Sequence, residues 1–178
     1  MPAVNIAEKE FEVFLTEEKI ISRIRELAKE IETIKFRRPP LFICVLNGAF
    51  RFAADLFSVC DFPAEIEFIK LSSYRNMRST GDVKLHSTFG IDASGKDIII
   101  LEDIVDTGNT LEFLIPLVEK ANPDSIRIAS LLFKPKAYMG DYNVDLKGFE
   151  IPNDFVIGYG LDYNGQGREL NSIYKLKS

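Results

Sequence analysis

The chain has 178 residues, 46% of them apolar and 28% charged, and a formal net charge of −5. That mix excludes a disordered chain and a membrane-embedded one, and the length suits a single domain with a sizeable core. One histidine and two cysteines cannot supply a Cys/His zinc site, and His86 has no nucleophile motif near it, so chemistry must rest on carboxylates, Lys, Arg, backbone amides or a hard metal.

The acidic balance and the lack of a dense basic run argue against nucleic acid as a partner. An anionic substrate would need local cations or a divalent metal to offset the global charge. Glu8, Lys9 and Glu10 stand where a secretory leader would be apolar. The longest wholly apolar run, Leu41–Leu46, is far short of the roughly 20 residues of a membrane span. We therefore expect a cytoplasmic chain with no membrane partner, and Cys44 and Cys60 as free buried thiols.

In chain order, residues 16–34 predict a helix. Thr16 suits the N-cap, Glu17 and Glu18 suit the positive end of the dipole, and Ile20, Ile24, Leu27, Ile31 and Ile34 recur at helical spacing. The basic, Pro-containing stretch 35–40 ends it. Residues 41–46 predict a strand buried on both faces, Asn47-Gly48 breaks it, and 49–57 fit a helix. Strands are expected at 65–71 and 84–89, a turn at Ser94-Gly95, and a short buried strand at 98–101. A helix at 110–121 stops at Asn122-Pro123, and strands are expected at 125–133 and 154–159. This alternation predicts an α/β fold with a mainly parallel sheet flanked by helices. Such sheets bind ligands at the carboxyl ends of their strands, so the residues just past each apolar run carry the interest.

After Ile98–Leu101 come Glu102 and Asp103, then Asp106-Thr107-Gly108-Asn109-Thr110 and a helix. A helix N-terminus presents unpaired N–H groups backed by the positive end of its dipole, which suits a phosphate. Gly108 permits close backbone approach, and Thr107 and Thr110 add hydroxyl donors. The acids can accept hydrogen bonds from sugar hydroxyls or steer hydrated Mg²⁺, so the run suggests a sugar phosphate with free hydroxyls. The plainer alternative is an acidic helix-capping turn in an ordinary α/β protein.

Residues 98–110 resemble the phosphoribosyl pyrophosphate (PRPP) motif of the type I phosphoribosyltransferases. Four further segments, in order, resemble the hypoxanthine-guanine phosphoribosyltransferases, so that the likeness runs from about 41 to 175. Leu46-Asn47-Gly48 is similar to the family's pyrophosphate loop, where the peptide before the second residue is often cis; many relatives carry Lys where Asn47 stands. Residues 72–84, with Ser73 and Tyr74, resemble the mobile loop, and there Arg75, Arg78 and Lys84 outnumber Asp82. Lys134 in Leu132–Lys136 matches the lysine that donates to the purine 6-oxo oxygen. Residues 154–163 resemble the purine pocket: Phe155 stacks on the base, Val156 offers backbone groups, Leu161 lies beside the base, and Asp162 faces a metal through water. Arg168 would hold pyrophosphate oxygens.

The resemblance implies a type I phosphoribosyltransferase fold, as one domain over 1–178. Its core spans about 35–150, and a small hood is formed by about 1–15 and 151–178. It implies Mg²⁺-dependent transfer of 5-phosphoribosyl from PRPP to N9 of hypoxanthine or guanine, giving IMP or GMP and pyrophosphate. Asp106 would be the general base or acceptor at N7, and Glu102 and Asp103 would hold the ribose hydroxyls. Thr107–Thr110, with Gly108 and Asn109, would anchor the 5-phosphate, and Glu102, Asp103 and Asp162 would face the metal. A homodimer or homotetramer is implied, with Phe50, Phe52 and Phe57 as candidate contact residues. Two alternatives stay open: a PRPP- or nucleotide-sensing regulator without turnover, and a phosphoribosyltransferase preferring xanthine or another base. A phospho-accepting receiver domain also places paired acids and a Lys-Pro at strand ends, but it does not explain Asp106–Thr110 or the Phe155 segment and is set aside.

Overall fold

The computed structural model describes residues 3–73, 83–85 and 92–177. Two sheets organise them. The larger is built from β3 (Leu41–Leu46), β4 (Glu65–Ser73), β5 (Val83–Leu85), β6 (Asp97–Val105), β7 (Ser125–Phe133) and β8 (Leu146–Glu150), in the order β5-β4-β3-β6-β7-β8. Neighbouring strands from β4 to β8 run parallel, and only β5 is antiparallel, at the edge. The smaller sheet is antiparallel, in the order β1 (Ala3–Ile6), β2 (Lys9–Leu15), β10 (Ile173–Leu176), β9 (Val156–Ile157).

The pleat of the parallel strands sorts their apolar residues to two faces. Phe42, Cys44, Ile99 and Leu101 pack with Ile20, Ile24, Leu27 and Ile31 of α1 (Glu17–Glu32) and with Phe52 and Leu56 of α2 (Phe50–Val59). Leu41, Ile43, Val45, Ile98 and Ile100 pack with Leu111, Leu114, Ile115 and Val118 of α3 (Asn109–Glu119). Thr16 is the N-cap of α1, and its hydroxyl accepts from the N–H of Lys19. A third, smaller core of Ile6, Phe11, Ile157 and Tyr174 lies in the antiparallel sheet. No helix among the described residues is long and apolar enough to cross a membrane.

Several elements differ from expectation. β6 does not stop at Leu101 but carries Glu102 and Asp103 as strand residues out to Val105. The strand expected at 154–159 shrinks to β9 and joins the smaller sheet, because Gly158, Tyr159 and Gly160 all take positive φ and turn the chain. β5 covers the start of the strand expected at 84–89, and residues 86–89, His86 among them, lie outside the described residues. β1, β2, β8 and β10 had no reading of their own.

The aromatic residues of α2 also need correction as a set. Phe52 is wholly buried beneath the sheet, and Phe57 meets Phe42 edge-on at 5.0 Å between ring centroids. Only Phe50 is exposed. Cys44 is buried and Cys60 half-buried, and both are free thiols. Burial pushes Cys44 up to about 12, helped by the charges of Glu102 and Asp103.

Candidate functional site

The carboxyl ends of β3, β6 and β7 meet at one edge of the large sheet. Along β6 the pleat carries Glu102 to the face of Ile98 and Ile100, and Asp103 to the face of Ile99 and Leu101. Glu102 is buried, and its Oε1 has no hydrogen-bond partner among the described residues. Burial, and then the charge of Asp103, pushes its carboxyl well above the usual range. Asp103 is pushed up to about 6, by burial first. Its Oδ1 accepts from the N–H of Ile104 at 2.9 Å, and the charge of Arg168 works against the upward shift.

The other face of the Asp103 carboxylate is Gly48. A Cβ built on Gly48 would stand 1.5 Å from Asp103 Oδ2, so no other residue fits there with Asp103 in place. This close approach brings the end of β3 and the end of β6 into one site. The Leu46–Asn47 peptide is cis. Asn47 itself is exposed.

Past β6 the chain turns directly into α3. Gly108 is its N-cap, at φ +95°, and no side chain caps the helix. That removes the capping-turn reading of the acids: neither Asp106 nor Thr107 uses the helix end, and the first-turn N–H groups face out as an anion cradle. Thr107 and Asn109 are exposed and Thr110 is half-buried. The ring of Tyr138 closes one side, since a Cβ on Gly108 would come within 2.6 Å of it. Met139 donates its N–H to the carbonyl of Thr107 at 3.2 Å. Tyr138 stands 30 residues past Gly108 and carries no motif of its own.

β6 and β7 run in register, with Val105 opposite Phe133, so Asp106 and Lys134 emerge side by side. The Lys134 ammonium lies 3.0 Å from Asp106 Oδ2. Lys134 is only 6% exposed, whereas the Asp106 side chain is 45% exposed. A buried cation thus stands against a half-open carboxylate.

The last wall is the segment from Phe155 through β9 to Arg168. Phe155 is 40% exposed, and its ring meets Tyr163 edge-on at 5.5 Å. Phe11 backs both rings, and Lys9 lies 4.7 Å over the Tyr163 ring. Val156 and Leu161 are buried in the core. Leu161 uses its N–H and its carbonyl on Gly158, so it shapes the wall rather than offering these groups. Asp162 Oδ1 and Arg168 pair at 2.5 Å, Arg168 also donates to the carbonyl of Gly160, and Asp162 Oδ2 accepts from the N–H of Gly165. A second tight turn at Asn164-Gly165 pairs Tyr163 with Gln166. Asn-Gly between paired residues is a strong hairpin signal, and it was present in the sequence. Of the expected mobile-loop pair, Ser73 ends β4, and Tyr74 lies outside the described residues.

Among the described residues no three Asp, Glu, His or Cys side chains form a ready metal cage. Mg²⁺ keeps several waters and is held by one or two carboxylates plus substrate phosphates. The unpartnered Glu102 Oε1 beside Asp103 is such a partial donor set.

Residues 12–164 match the family model described as phosphoribosyl transferase domain. The chain is 41% identical, over 166 residues, to the hypoxanthine-guanine phosphoribosyltransferase of Bacillus subtilis (strain 168), covering 93% of this chain and 92% of that protein. It is 38% identical to the bifunctional protein TilS/HprT of Listeria monocytogenes, of whose length it spans only 26%. The crystal structure of a hypoxanthine phosphoribosyltransferase from Staphylococcus aureus matches with a TM-score of 0.87 at 36% identity, covering 93% of this chain and 91% of that one.

Proposed function

The chain belongs to the phosphoribosyl transferase family, and on that premise we propose that it moves the 5-phosphoribosyl group of PRPP to N9 of hypoxanthine or guanine, releasing pyrophosphate and giving IMP or GMP. The observation that carries this reading is the Lys134–Asp106 pair beside the uncapped end of α3. It sets a buried cation and a half-open carboxylate at the end of the strand that leads directly into the phosphate cradle.

In this reading the first-turn N–H groups of α3, with Thr107, Gly108, Asn109 and Thr110, hold the 5-phosphate. Glu102 and Asp103 accept hydrogen bonds from the ribose hydroxyls, and Glu102 Oε1 gains the partner it lacks. Phe155 stacks on the purine, and the backbone of Val156 meets its edge. Lys134 donates to the 6-oxo oxygen, which selects a 6-oxopurine over adenine and stabilises negative charge developing there. Asp106, released from Lys134 by the base, accepts the proton at N7 and so raises the nucleophilicity of N9. The leaving pyrophosphate is met by the backbone of Leu46, Asn47 and Gly48 and by Arg168. Glu102, Asp103 and Asp162 would hold Mg²⁺ directly or through water; when bound, it supplies charge neutralisation on the pyrophosphate oxygens. No protein nucleophile is needed.

The direct test is absorbance-monitored conversion of hypoxanthine and PRPP to IMP with Mg²⁺. Turnover is expected, and PRPP binding without turnover would favour a sensing role. Side-by-side kcat/KM values for hypoxanthine, guanine and xanthine rank the bases. PRPP should bind tightly only with Mg²⁺, and equal affinity in EDTA would overturn the metal's part. We also read the chain as one cytoplasmic domain with the antiparallel sheet as its hood. The exposed Phe50, close to the pyrophosphate loop, supports a homodimer or homotetramer, which sedimentation velocity tests.

A further inference from the structure

Arg51 lies on the first turn of α2, just past Gly48, and its side chain leaves its own helix. Its guanidinium donates to the carbonyl of Glu169 at 3.1 Å, the carbonyl of Leu170 at 2.8 Å and Oδ1 of Asn171 at 2.9 Å. It also lies 4.8 Å over the ring of Tyr159. Tyr159 holds φ at +50°, a conformation few side chains take unaided, and its hydroxyl donates to the carboxylate of Asp55, one turn further along α2. Burial and this bond push the phenol up, so it stays a donor. Between these anchors, Gly160 presses on the carbonyl of Gly48, where a Cβ would come within 2.2 Å. The anchored segment, 159–171, contains Asp162 and Arg168.

We propose that Arg51 is a positioning residue: with Tyr159 and Asp55 it locks the Asp162–Arg168 segment to the 46–48 loop, so that the two arms meeting pyrophosphate keep a fixed separation. Arg51 itself touches neither substrate. The planar guanidinium serves because three acceptors and one ring face are engaged at once, which an ammonium cannot do. This rests on the reading above in one respect, that 46–48 and Arg168 meet the same pyrophosphate.

The test compares wild type, Arg51→Met, Arg51→Lys and Tyr159→Phe. PRPP affinity with Mg²⁺ is measured by calorimetry without purine, alongside KM for each substrate, kcat and Tm. In Arg51→Met the Kd and KM for PRPP should rise about tenfold, the loss of one charge-assisted contact set, while KM for hypoxanthine stays within about twofold. Arg51→Lys should fall between, and Tyr159→Phe should move PRPP binding alone, by less. Unchanged PRPP affinity overturns the proposal. So does a common rise of both KM values together with a fall in Tm, which marks a merely structural role. If Arg51→Met does not fold, wild-type PRPP affinity in Arg51→Lys overturns it instead. A wild-type chain that binds PRPP without turnover overturns the proposed reaction and leaves Arg51 to be judged by Kd; one that binds no PRPP overturns both.

Discussion

The two halves of the site are held by different means. The half at the sheet edge, from Glu102 to Thr110 with Lys134, hangs on parallel strands in register and on a helix that starts at once. Its side chains are aimed by the pleat and need few partners of their own. The half formed by residues 155–168 rides on a two-residue strand and two tight turns, and is kept in place by side-chain bonds from Arg51, Asp55 and Arg168. In the proposed reaction, backbone architecture fixes the atoms assigned to chemistry, whereas side-chain ties fix the atoms assigned to hold and release pyrophosphate. Errors in the first half should therefore strike kcat, and errors in the second should strike affinity.

The largest effect falls on the first half. Asp106→Asn should lower kcat about a hundredfold or more, with IMP affinity changed only a few-fold, read by steady-state kinetics and calorimetry. An unchanged kcat would remove Asp106 as the base and break the comparison. Next, Lys134→Met should lower kcat/KM for hypoxanthine by roughly ten- to a hundredfold and narrow the preference over adenine, with KM for PRPP little changed. Gly48→Ala bridges the halves. Its methyl meets the Asp103 carboxylate, so stability should fall by about 1–3 kcal/mol in denaturant titrations, with PRPP affinity falling too. A stable Gly48→Ala chain with normal affinity would mean that the two loops do not need their close approach.

The smallest effect is a pH dependence. Burial pushes the Asp103 carboxyl up to about 6 from its ordinary 3.8, so between these values the folded chain should hold the extra proton. Stability of the ligand-free chain should accordingly fall as pH rises from about 4 to 6, no more steeply than about 1.4 kcal/mol per unit for this one group. Glu102, shifted the same way, adds to the trend. Asp103→Asn should flatten the slope, and an unaltered slope would place the titration elsewhere.

The same contrast explains what could be read from residues alone. The sheet-edge half was legible because an apolar run, two acids and Thr-Gly-x-Thr follow one another in sequence. The helices α1, α2 and α3 and the central strands were equally plain, since each buries a long periodic or continuous apolar face. The Lys134–Asp106 contact was not, because it depends on the register of β6 against β7 across 28 positions. The short antiparallel strands fared worst. β10 has four residues and β9 two, and their stability comes from pairing across the chain rather than from their own pattern. β2 did carry a signal, with Phe11, Val13 and Leu15 alternating, and so did Asn164-Gly165. The role of Arg51 had no local mark, because its partners lie about 120 residues away.

The bare start of α3 has one more consequence. Helices usually end in a side chain that satisfies their first N–H groups, and lacking such a cap forgoes about 1 kcal/mol. A residue that capped α3 would compete for the place an anion takes. The ligand-free chain thus leaves the start of α3 open, and in the proposed reaction the incoming phosphate would close it. Substrate binding and folding are then linked through the same hydrogen bonds, so the protein should be at its most heat-resistant and protease-resistant when it holds a 5-phosphate, even one with no purine attached.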